Sequence, residues 1–131
     1  MKILHLYQKI NAVLLSINYH YNVSSATLKI LLEIVKKHKA LLKILEIEED
    51  KIEMVGQPRN LKELLEDVTF ERFHIINIAA PIAINAFQQL IPIQLHAMLV
   101  SRKNFIDRFI FGSDTSKISY GSQVPLLVMR T

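Results

Sequence analysis

Leu95-His96-Ala97-Met98-Leu99-Val100 opens the last third of this 131-residue chain, and Val124-Pro125-Leu126-Leu127-Val128-Met129 closes it. Both are short, almost wholly apolar runs, the pattern of strands buried on two faces. Between them lie a loop and helix segment from Ser101 to Phe111, a Gly112-Ser113 turn and a second helical stretch from Asp114 to Tyr120. Strand, helix, turn, helix and terminal strand make an α/β unit of the kind that holds a phosphate at a helix start. Gly112 supplies backbone freedom at the turn. The unbonded N–H groups of the next turn, with the Ser113 hydroxyl, can face an anion. Ser113 is equally a good helix N-cap with no ligand present.

Working back towards the N-terminus, strands and helices alternate. Ala12 to Asn18 is apolar apart from Ser16 before its last residue, long enough for a buried parallel strand. Ser24 or Ser25 caps a helix from Ala26 to about His38, whose Leu28, Leu31, Leu32 and Val35 share one face. Lys36, Lys37, His38 and Lys39 crowd its end, where cations suit the helix dipole. Ala40 to Ile47 reads as a second strand, and Glu48 to Arg59 as a polar connection. Asn60, with Glu63 three residues on, forms a capping box for a helix with a Leu61, Leu64, Leu65 and Val68 stripe. Arg72 to Ile78 is expected to be a third strand. Pro81 suits the first turn of a helix whose apolar face is read as Ile82, Ala83, Ala86, Phe87 and Leu90, with Pro92 as its stop. Residues 1–11 are ambiguous between a lead-in helix, a linker from an upstream domain and an extra strand. The expectation is one α/β domain across residues 1–131, with a parallel sheet, helices on both faces and right-handed crossovers.

Composition narrows the function classes. Half the residues are apolar, with only 3 Gly and 4 Pro, so the chain has the composition of a folded domain. Cysteine is absent, which removes disulfides and thiol chemistry and fits a reducing, cytoplasmic setting. The net charge of +4 comes from basic residues scattered among acids, a solvated surface rather than a nucleic-acid footprint. Phe73 to Ser101 holds no Asp, Glu, Lys or Arg, but Asn77, Pro81, Asn85, Gln88, Gln89, Pro92 and Gln94 interrupt it, so no membrane span is expected. The N-terminus lacks the long apolar region and small-residue cleavage site of a signal peptide. The five histidines match no zinc spacing. His74 and His96 are read as structural or surface residues. Asp107 and Asp114 show no acid–base pattern, and no Ser/His/Asp order stands out. No catalytic or metal-binding residues are assigned.

Gly112-Ser113-x-Thr115-x-Lys117-Ile118, followed by Val124-Pro125-Leu126-Leu127-Val128, resembles the C-terminal half of the universal stress protein family. The nucleotide-binding branch of that family carries G-x2-G-x9-G-[S/T] there. Gly112 takes the third glycine position and Ser113 the hydroxyl position. Counting back, the second glycine position holds Arg102 and the first holds Leu99. The end of the first strand, where that branch carries a nucleotide-contacting Asp, holds Asn18. The chain is thus similar to the degenerate second domain of tandem stress proteins, in which the nucleotide loop is missing.

The resemblance implies a three-layer α/β/α fold with a five-stranded parallel sheet in the order 3-2-1-4-5. The candidate nucleotide or anion site is then Asn18, Leu99, Arg102, Gly112 and Ser113. Leucine and arginine side chains fill space that loop glycines leave open for phosphates. The expected function is therefore a non-catalytic dimerisation or regulatory module without ATP or another cofactor. The alternative is a stress protein that binds or slowly hydrolyses ATP through Gly112-Ser113 and Asn18. Arg102, Lys103 and Arg108 open one more reading, in which basic side chains hold a small anionic molecule. The last strand falls at a sheet edge, so Val124, Leu126, Leu127, Val128 and Met129 are the expected homodimer interface.

Overall fold

A computed structural model of the chain describes residues 9–18, 25–48, 61–100 and 124–130. The elements are strand β1 (Ala12–Asn18), helix α1 (Ser25–His38), strand β2 (Leu41–Glu48), helix α2 (Leu61–Leu64), strand β3 (Phe70–Ile76), helix α3 (Ala80–Leu90), and strands β4 (Leu95–Val100) and β5 (Leu126–Arg130). The strands form one sheet in the order β3-β2-β1-β4-β5. Every pairing is parallel: Val13 lies opposite Leu42 and Leu95, Leu42 opposite Phe70, and His96 opposite Leu126. This is the doubly wound α/β arrangement expected from the sequence.

Alternating side chains divide the core into two layers. Val13, Leu15, Ile17, Leu42, Ile44, Ala97 and Leu99 face one side, where Leu28, Leu31 and Val35 of α1 and Leu65 after α2 cover them. Leu14, Leu45, Ile47 and Met98 face the other side, under Ala80, Ala83, Ile84 and Phe87 of α3. The chain moves outward from β1 through β2 to β3 with α1 and α2 on the first side. It then returns past β1 to β4 with α3 on the second side. Right-handed crossovers require that change of side when the direction of travel reverses. The apolar residues Ala12–Leu15 and Ile17 of β1 are buried because this central strand has a strand on each flank and a helix layer on each face. Full burial of each such leucine or isoleucine contributes about 1.5–3 kcal/mol.

Several boundaries differ from the sequence reading, each for a local reason. β3 begins at Phe70 rather than Arg72 and stops at Ile76 rather than Ile78. Asn77 donates its N–H to the Glu48 carbonyl at 2.7 Å, the last rung of the β2–β3 ladder, and its left-handed φ of 62° then turns the chain out of the strand. α2 covers only Leu61–Leu64. Val68 N–H bonds to the Leu65 carbonyl three residues back, a tight turn rather than a continued helix. Glu66 and Asp67 place negative charge at this helix end, where the dipole disfavours it, and β-branched Val68 and Thr69 follow. Leu64, Leu65 and Val68 still pack on the core.

The apolar face of α3 is rotated from the expected one. Ala80, Pro81, Ala83, Ile84 and Phe87 are buried, whereas Ile82 is 44% and Leu90 81% exposed. Ala86 is exposed as well. The stripe that meets the sheet is 80, 83, 84 and 87, at i, i+3, i+4 and i+7. Pro81 does occupy the first turn, and the helix ends at Leu90, with Ile91 extended before Pro92. β5 starts at Leu126, because Pro125 has no N–H to give the ladder and contributes its carbonyl to the His96 N–H instead. The remaining shifts are of one residue: α1 begins at Ser25, and β2 runs from Leu41 to Glu48.

α1 ends in a Schellman motif. The Ala40 N–H reaches the Val35 carbonyl at 3.0 Å, and the Lys39 N–H reaches that of Lys36 at 3.2 Å. Lys39 takes the left-handed position at φ 52°, where glycine is usual. The basic residues of the last turn, Lys36, Lys37 and His38, lie at the negative end of the dipole, as the sequence led one to expect. Among the described residues no helix is long and apolar enough to cross a membrane.

Candidate functional site

In a doubly wound sheet the ligand crevice opens at the C-terminal ends of the strands, where the winding reverses. Here the reversal falls between β1 and β4, which lie side by side. Their ends, Asn18 and Val100, reach the same edge of the sheet. The structure thus brings two of the sequence-derived site positions, Asn18 and Leu99, to the neighbouring ends of adjacent strands. Leu99 is still within β4, 1% exposed and packed in the α1-side core. Arg102, Gly112 and Ser113, with Lys103 and Arg108, lie outside the described residues.

Beneath that edge, on the α3 side, is a buried polar group. His96 Nε2 and Ser16 Oγ are 2.7 Å apart, and Gln88 Nε2 lies 3.3 Å from His96 Nδ1. With Gln88 donating to Nδ1, the Nε2–H is left to donate to Ser16. Burial pushes the His96 imidazole down from its ordinary 6.5 to about 3, so it is neutral at physiological pH. The Ser–His contact has the length of a nucleophile–base pair, but both residues are 0% exposed and sit under α3. Ser16, His96 and Gln88 form a hydrogen-bonded tie between β1, β4 and α3. Of the two roles the sequence left open for His96, structural or surface, its burial fits the structural one.

A second polar cluster lies on the α1 side, at the C-terminal ends of β2 and β3. Arg72 donates from Nε to Glu46 Oε1 at 2.9 Å and from Nη2 to Oε2 at 3.1 Å, a bidentate pair. His74 Nε2 lies 3.0 Å from Glu48 Oε1. Both glutamates are buried, while Arg72 and His74 are partly exposed. The sequence reading did not single out this cluster. Its signal was there as two i, i+2 pairs, Glu46/Glu48 and Arg72/His74, which share a face once the two strands are placed side by side. Reading Glu48 as the start of a connection hid the pattern.

At the opposite, N-terminal ends of β2 and β3 is an open groove of about 480 Å³, bordered by Lys36, Lys39, Asp67 and Thr69. Lys36 and Asp67 approach to 3.6 Å across it, both well exposed. Beside β1, Gln94 Oε1 accepts the Asn11 and Ala12 N–H groups, each at 2.8 Å, and so fixes the start of that strand. Among the described residues no three His, Asp or Glu side chains converge as a metal site would require.

The expected association strand lies at the end of the sheet, with β4 as its strand neighbour among the described residues. Met129 is buried and Leu127 half-buried on the α1 side, and Val124 and Leu126 are half-buried on the α3 side. Val128 is 38% exposed. The chain matches no protein-family model, and no curated protein matches it.

Proposed function

We propose that this chain is a non-catalytic, universal-stress-protein-like module that works in the cytoplasm by self-association and does not bind ATP. The observation that carries this reading is Leu99. It stands where the nucleotide-binding branch has its first loop glycine, yet here it is strand backbone with a buried side chain. Main chain held in a strand pairs its amides along the sheet and does not turn them towards a phosphate. The strand order and the winding reversal beside Asn18 support the same kinship. Among the described residues β5 lies at the end of the sheet, and this supports the homodimer, because an edge strand offers its outer N–H and C=O groups to another strand.

The test has two arms. Millimolar Mg-ATP leaves the melting temperature unchanged, whereas ligand at 100 times its Kd would add about 2.7 kcal/mol. A stoichiometric micromolar site in calorimetry would overturn the no-ATP reading in favour of an ATP-binding stress protein. For association, light scattering of the unmodified chain gives twice the chain mass, and Val128→Lys, a change at a partly exposed position, shifts it towards monomer. A monomer at tens of micromolar would remove self-association from the proposal.

A further inference from the structure

We draw no further inference here: the strongest candidate, the polar cluster of Glu46, Glu48, Arg72 and His74 at the C-terminal ends of β2 and β3, joins its carboxylates to its own Arg72 and His74 side chains, and nothing in the structure shows what ligand or partner it would meet.

Discussion

The two end strands of the sheet occupy equivalent places and are fastened in different ways. β3 is joined to β2 by polar side chains on both faces: the Arg72–Glu46 ion pair and the His74–Glu48 hydrogen bond on one side, and Lys43 to Glu71 at 2.7 Å on the other. None of its seven residues is fully buried. Phe73 supplies an apolar anchor, meeting Phe87 of α3 edge-to-face at 5.1 Å. β5 is joined to β4 by apolar side chains, with no charge before Arg130. Charged side chains on an edge strand discourage pairing with another chain, and their absence invites it. This asymmetry is why β5, and not β3, is the edge proposed for self-association.

The largest expected effect tests whether charge holds β3 in place. Arg72→Leu removes the two bonds to a carboxylate that is 2% exposed. Breaking such a pair from one side costs about 3 kcal/mol, because the remaining charge is left desolvated. Glu46→Leu combined with Arg72→Leu recovers most of that loss, since the pair itself contributes little beyond a well-packed apolar replacement. Urea melts of the two variants read this directly. A loss below about 0.5 kcal/mol in the single variant would mean that the apolar anchor, not the ion pair, holds the edge.

On the other half of the sheet the weak point is His96, which has β5 as its neighbour. Its folded pKa is depressed, so the unfolded chain binds the proton more readily. Its stabilising contribution is complete above pH 6.5 and falls as pH drops from 6.5 towards 3. The slope is about 1.4 kcal/mol per pH unit, or roughly 2 kcal/mol between pH 6.5 and 5. In NMR titration of the folded chain the His96 ring stays neutral to pH 5, while chemical denaturation shows the stability loss. A ring that protonates near pH 6.5 with the fold intact would show that the Ser16–His96–Gln88 group is open to water.

The difference between the two halves also explains what could be read in advance. β1 and β4 were placed to the residue, because their apolar runs are continuous and central strands need little else. β3 was displaced by two residues. An exposed edge strand has no burial pattern to fix its ends, and the stop comes from the left-handed backbone of Asn77, which a linear reading does not show. The face of α3 was misjudged because Ile82, Ala86 and Leu90 form an apolar stripe of their own beside the one that meets the sheet. Of the site, Asn18 was placed at the winding reversal as the end of the first strand and Leu99 by counting back along the motif, and the fold sets them at the neighbouring ends of adjacent strands. The Glu46–Arg72 cluster stayed hidden because its members lie 26 residues apart and meet only through strand register.

The smallest effect separates buried charge from surface charge on the same strand. Lys43 and Glu71 are opposite each other in the β2–β3 register, and the carboxylate side chain is half exposed. Water screens such a pair, and ordering two long side chains offsets part of the attraction, so its coupling is about 0.2–1 kcal/mol. A double-mutant cycle with Lys43→Met and Glu71→Gln measures this coupling free of each residue's own packing. Raising the salt from 0.1 M to 1 M shortens the Debye length from about 10 to about 3 Å and reduces the coupling further. The Arg72–Glu46 coupling, shielded by burial of its carboxylate, changes much less over the same range. If both couplings fell together with salt, the Glu46 carboxylate would be hydrated in solution, and the two edges would differ in composition but not in how they are held.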